Sequence, residues 1–127
     1  MKFYIASGFD NQAAVHYVRD QLILAGHSHT YDWTKNNRAT TEEALRTIGE
    51  AEKAAVADSD VFIVLLPGGK GTHTELGIAL GLNKKIFIYS KEKIDVTTAT
   101  TFYYVHGVEH FYGNLAEFVT TLVDSTR

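Results

Sequence analysis

The 127-residue chain has no cysteine at all. That excludes a disulfide framework and any thiolate metal site. An excess of positive charge is also missing: 12 Lys and Arg stand against 15 Asp and Glu, the formal charge is −3, and the lysines are dispersed. Without a basic stripe there is no electrostatic footprint for a nucleic-acid polymer, although a single nucleotide stays open as a ligand. No apolar run approaches the roughly 20 residues needed to span a bilayer, so membrane insertion is not expected. The start, Met1-Lys2-Phe3-Tyr4, runs into a strand with no signal-peptide pattern, and a cytoplasmic location is the expectation. Repeats, low-complexity tracts and linkers are lacking too. The length suits one domain over residues 1–127, so a deep site is expected to draw on a partner subunit.

What is present alternates between strand and helix. Lys2 to Ala6 reads as a first strand ending at Ser7-Gly8, followed by a helix from Asn11 to Ala25 with Val15, Val18 and Leu22 on one face and Gly26 as its C-terminal cap. His27 to Trp33 reads as a second strand, and Thr34 to Ala39 as a polar connection able to cover a site. Thr40-Thr41-Glu42-Glu43 has capping-box spacing, so the next helix is expected to begin there, with Thr40 as its cap, and to run to about Ala57. Val61 to Leu66 is an unbroken apolar run, as a strand buried on both faces requires. Lys85 to Ser90 gives a fourth strand; Phe102 to Val105 and Val108 to Phe111 suggest a short extended return. Leu115, Phe118, Val119, Leu122 and Val123 mark a last amphipathic helix. The pattern predicts a single-domain α/β three-layer sandwich, flavodoxin-like or Rossmann-like, with a mainly parallel sheet of about five strands.

The most informative stretch is Pro67-Gly68-Gly69-Lys70-Gly71-Thr72-His73-Thr74-Glu75-Leu76-Gly77, where a buried strand gives way to a glycine loop and then a helix. Open α/β sheets bind ligands at that edge. The loop is not a P-loop, because Gly71 separates Lys70 from Thr72. Nor does Ala6-Ser7-Gly8-Phe9 make the dinucleotide fingerprint expected after the first strand, so a classical NAD site is not predicted.

These residues resemble the nucleoside 2-deoxyribosyltransferases and their relatives, the deoxynucleoside-monophosphate N-glycosidases. The resemblance covers nearly the whole length. It rests on Phe3-Tyr4-Ile5-Ala6-Ser7-Gly8-Phe9, on Glu52 eight positions before Asp60, on the Gly26-His27 turn with Trp33 beyond it, and on Glu75-Leu76-Gly77 closing the glycine loop. It implies a metal-independent N-glycosyl transferase or hydrolase without a cofactor. Glu75 would be the nucleophile, with Glu52 and Tyr4 as further catalytic residues. Ser7, Gly8, Phe9, Trp33, Asp60, Gly68, Gly69, Gly71, Thr72 and His73 would bind a nucleoside or nucleotide and a free base. It further implies a homo-oligomer in which Thr101, Phe102 or Tyr103 reaches a neighbour's site. Two positions depart from the family pattern: Glu52 stands where aspartate is usual, and Gly69 where some transferases hold the sugar 5'-hydroxyl with an aspartate. The same loop also resembles the P-G-G-x-G-T-x-x-E motif of the cytokinin-activating phosphoribohydrolases. Both resemblances imply cleavage of an N-glycosidic bond.

The residues themselves leave alternatives open. A carboxylate beneath the sugar C1' can stabilise or trap the positive charge that develops there. Glu75 near a helix N-terminus would be held ionised by the helix dipole, yet Thr72-His73-Thr74-Glu75 is also a capping box, in which Glu75 only ties off its own helix. Glu52 lies near the apolar stripe of its helix, where partial burial would suit a proton donor; the alternative is a rim position paired with Lys53. Tyr4 can position Glu75 or simply pack in the core, and Phe9 and Trp33 can stack on a base or pack. Lys70 can meet a phosphate or be merely solvated. His27, His29, His73, His106 and His110 show no metal spacing on one element. A non-catalytic nucleotide-binding module, or an oligomer interface built by Phe102, Tyr103 and Tyr104, are readings from other classes.

Overall fold

The computed structural model describes residues 1–126. Five parallel strands, β1 (Lys2–Ser7), β2 (Ser28–His29), β3 (Val61–Leu65), β4 (Lys85–Ser90) and β5 (Val108–Tyr112), form one sheet in the order β2-β1-β3-β4-β5. Helix α1 (Gln12–Leu24) packs with α4 (Leu115–Ser125) on one face, and α2 (Glu42–Asp58) with α3 (Lys70–Gly81) on the other. This is the flavodoxin-like order, and its switch point falls between β1 and β3. No helix among the described residues is long and apolar enough to cross a membrane.

The central strands are apolar on both faces because both are covered by helices, and all five residues of β3 are buried. Strand alternation then divides β1. Tyr4 stacks on Phe62 at 5.8 Å between ring centroids and faces α2 and α3, and its neighbours Phe3 and Ile5 take the opposite face. Helix α1 closes in a Schellman motif: Gly26, at φ +95°, donates to Ile23, and His27 donates to Leu22.

Four local expectations change. The second strand keeps only Ser28 and His29, because Asp32 accepts from the Thr34 N–H and starts a 3-10 turn over Trp33–Lys35. Helix α2 is capped by Thr41, whose hydroxyl accepts from the Ala44 N–H, one residue later than the capping-box spacing suggests. Phe102 to Val105 is not extended; Thr101–Tyr104 is a 3-10 turn capped by Thr100, and only Val108–Tyr112 joins the sheet. Helix α3 begins at Lys70, so Gly71 lies inside the helix and Glu75 in its second turn.

Candidate active site

The turns after β1 and β3 meet at the carboxyl edge of the sheet. The Gly8 N–H donates to the Pro67 carbonyl at 2.9 Å, and a Cβ on Gly8 would also stand 2.9 Å from that oxygen, so a side chain is excluded there. A Cβ on Gly68 would come 2.6 Å from the Thr72 methyl. That crowding exists because the Thr72 hydroxyl turns back to accept from the Gly69 N–H at 3.1 Å. The loop is therefore pressed onto the start of α3, whose first-turn N–H groups have no carbonyl partner within the helix.

Behind this loop lies a buried triad. The Tyr4 hydroxyl donates to Glu75 Oε2 and sits 3.3 Å from Glu52 Oε2. Tyr4 is fully buried and Glu75 is 9% exposed, whereas Glu52 is half-buried on α2. Glu75 is thus no cap for its own helix. Its carboxyl is pushed up to about 8, chiefly by burial; the Tyr4 hydrogen bond works against the rise and the nearby Glu52 carboxylate adds to it. The expected dipole-held carboxylate is overturned by position: two turns of helix and the sheet enclose the group, so desolvation outweighs a dipole that fades beyond the first turn. The Tyr4 hydroxyl is likewise raised, first by burial and then by Glu75. Lys53, the alternative partner for Glu52, instead approaches Glu50 at 3.7 Å on the outer face.

Two clefts open at this edge and share Phe9, and the first reaches Glu52. One, of about 440 Å³, runs between Phe9 and Trp33 to Leu45, Ile48 and Glu52, with Asn36 to Ala39 along its wall. The other, of about 340 Å³, lies over Gly8, Asp10, Asn11, Pro67, Gly68 and Gly69. Trp33 is packed, its Nε1–H donating to the Ile5 carbonyl at 2.7 Å, while Phe9 is 60% exposed at the mouth. The segment carrying Trp33 is held by Arg19 on Asp32 and His16 on Thr34.

The other candidates fall into place unevenly. Ser7 donates to the Leu65 carbonyl under the glycine loop. His73 donates from Nδ1 to the Gly69 carbonyl and accepts at Nε2 from the Tyr103 hydroxyl, at 2.7 and 2.6 Å. Tyr103 is therefore engaged within its own chain, while Thr101 and Phe102 are exposed beside it. Asp60 is not at this edge: it precedes β3, and its carboxylate accepts from the Lys2 N–H at the amino end of the sheet. Sequence reasoning missed the wall residues Asn36, Asn37 and Arg38, whose only signal was a polar connection before a helix, and Leu45 and Ile48, which share the α2 stripe with Glu52.

A sheet of this order, with two carboxyls on one tyrosine near an aromatic cleft and a glycine loop, has its candidate site at the ligand edge of the fold. A model of the nucleoside 2-deoxyribosyltransferase family matches residues 3–115, and the chain belongs to that family. Its reaction class is cleavage of an N-glycosidic bond with movement of the deoxyribosyl group. No curated protein matches by sequence. Among solved structures the chain is similar to the CMP N-glycosidase BcmB of Clostridium botulinum, with 19% identity, 96% of this chain and 98% of that one covered, and a TM-score of 0.71. It is also similar to the 2-deoxyribosyltransferase of Bacillus psychrosaccharolyticus, with 16% identity, 94% and 90% covered, and a TM-score of 0.70.

Proposed function

We propose that the chain cleaves the N-glycosidic bond of a 2'-deoxynucleoside 5'-monophosphate, with Glu75 as nucleophile and Glu52 as the acid that protonates the departing base. The observation that carries this is the single Tyr4 hydroxyl between the two carboxyls. That hydroxyl has one hydrogen, which goes to Glu75. The same hydroxyl stands 3.3 Å from Glu52 Oε2, so one side chain touches both carboxyls. The shared hydroxyl thus sets Glu75 behind the glycine loop and Glu52 at the inner end of the aromatic cleft, where a base fits.

In the first step a Glu75 oxygen bonds to C1' while the C1'–N bond breaks. Its electron pair goes to the base nitrogen, and the Glu52 proton follows it. In the second step a new base, or water, bonds to C1', gives its proton to Glu52 and frees Glu75. The first-turn N–H groups of α3 and the open loop at Gly68 and Gly69 suit a 5'-phosphate. Gly69 supports the phosphate over a bare 5'-hydroxyl, since no carboxylate side chain stands at that loop position to repel a dianion. Oligomer formation through the exposed Phe102 and Tyr104 beside the site, and a cytoplasmic setting, belong to the same reading.

Incubation with deoxynucleosides and with their 5'-monophosphates, with and without a second base, separates the possibilities by chromatography of products. Free base and deoxyribose 5-phosphate, formed without acceptor and lost in Glu75→Ala, are expected from the monophosphate. A product that needs the second base identifies transfer. Turnover undiminished in Glu75→Ala would sink the nucleophile assignment, and no turnover of any deoxy substrate would sink the proposal itself.

A further inference from the structure

The turn after β1 carries a polar chain whose hydrogens can be ordered without ambiguity. The Leu65 carbonyl can only accept, so the Ser7 hydroxyl, 2.6 Å away, must donate to it. That hydrogen is then spent, and Ser7 Oγ can only accept from Asn11, 2.9 Å away. Asn11 must therefore present Nδ2 to Ser7, and the same Nδ2 also reaches the Leu65 carbonyl at 3.5 Å. The amide cannot flip without placing its oxygen against two acceptors. Its Oδ1 is left as an acceptor with a fixed direction, on a residue that lines the glycine-loop cleft.

An acceptor so fixed repels a phosphate oxygen and takes a hydroxyl. In a 2'-deoxynucleoside 5'-monophosphate the 5' oxygen is esterified and C2' has no oxygen, so one sugar hydroxyl remains, at C3'. We propose that Asn11 Oδ1 is the acceptor for the 3'-hydroxyl of the sugar, with Ser7 as the positioning residue that fixes the amide. Phosphate and hydroxyl are then sorted within one cleft, the anion to the helix N–H groups and the hydroxyl to the amide oxygen. This inference rests on the deoxynucleotide reading above. Asp10, exposed on the same rim, is the competing acceptor.

The test compares kcat/KM for 2'-deoxy and 2',3'-dideoxy forms of the same 5'-monophosphate. The wild type is expected to favour the 3'-hydroxyl by about tenfold, the size of a hydrogen bond that leaves its partner unsatisfied when lost. In Asn11→Leu the preference is expected to collapse towards unity through loss on the deoxy substrate alone. Asn11 makes no side-chain cap to α1, so the fold does not depend on it as a helix cap. In Ser7→Ala, where the amide is free to turn, the preference is expected to shrink while Asp10→Ala retains it. A preference unchanged in Asn11→Leu, or abolished in Asp10→Ala, overturns the assignment. Absence of turnover on both substrates by the wild type tells against the parent reading instead, and a thermal melt of each variant identifies misfolding.

Discussion

Two carboxyls held on one hydroxyl make the chemistry of this site depend on a proton count. Glu75 is raised from an ordinary 4.5 to about 8 in the folded chain, so between those values the folded state binds more protons than the unfolded one. The stability this contributes is complete below pH 4.5 and is lost as pH rises through about 8. Glu75→Gln keeps the shape without the charge. Its melting temperature is expected to match the wild type near pH 5 and to exceed it at pH 8.5, by about 4 °C for each ~1 kcal/mol recovered in a domain of this size. Equal melting temperatures at both pH values would show that the carboxyl is not desolvated. Tyr4→Phe removes the one bond that favours the ionised form, so the alkaline loss of stability should extend to higher pH. Activity should fall in the same variant by about 10² or more, the usual scale for removing a group that positions a proton transfer. Because Glu75 must be ionised to attack C1', kcat/KM in the wild type should rise with pH up to about 8, and Glu52→Gln, which removes the neighbouring carboxylate that adds to the upward shift, should move that limb to lower pH.

Among elements, the join between β3 and α3 has the least slack. Gly68 and Thr72 occupy space that a single methyl would contest, and Thr72 cannot rotate away without abandoning the Gly69 N–H. Gly68→Ala is expected to cost about 1–3 kcal/mol, the range for overpacking. Thr72→Ser removes the methyl that a Cβ would meet first and keeps the hydroxyl. The double variant should therefore be less destabilised than the sum of the two singles, and urea unfolding of the four-member cycle measures the difference. Simple additivity would mean that the loop moves freely. This junction was also the most legible part of the chain, because an apolar run, glycines and a following helix each bear on the same turn. The triad was readable for a similar reason: alternation puts Tyr4 on one face of β1, and the α2 stripe puts Glu52 towards it. Asp60 was misplaced because sequence proximity to β3 does not say which end of the strand is the ligand edge. Asn11 and Asn36 were illegible because a polar residue in a turn looks the same whether it faces a cleft or water. The helix start at Lys70 was missed because glycine, which ordinarily interrupts helices, lies at Gly71 inside the first turn.

For the whole molecule, groups on opposite faces of β1 respond to pH in opposite senses. Strand β2 is an edge of only two residues, and its His29 stacks on Phe3 at 4.9 Å with Nε2 buried and without a partner. His29 lies below its ordinary 6.5; burial is the main cause, Asp32 opposes it, and Arg19 and Lys35 reinforce it. A histidine depressed in the fold contributes stability above pH 6.5 that is lost as pH falls through its folded value. Glu75 imposes the reverse: its contribution falls from pH 4.5 to about 8, so the two groups oppose each other below pH 6.5 and Glu75 alone acts above it. His29→Phe retains a ring on Phe3 and removes the titration, and its melting temperature should fall less than the wild type's between pH 7 and pH 5. The two groups stand on different elements on separate sides of β1, so their effects should add. A Glu75→Gln, His29→Phe double variant should then give a melting profile flattened on both sides. Flattening on the alkaline side alone would mean that protonated His29 finds an acceptor, and that the edge strand opens to provide it.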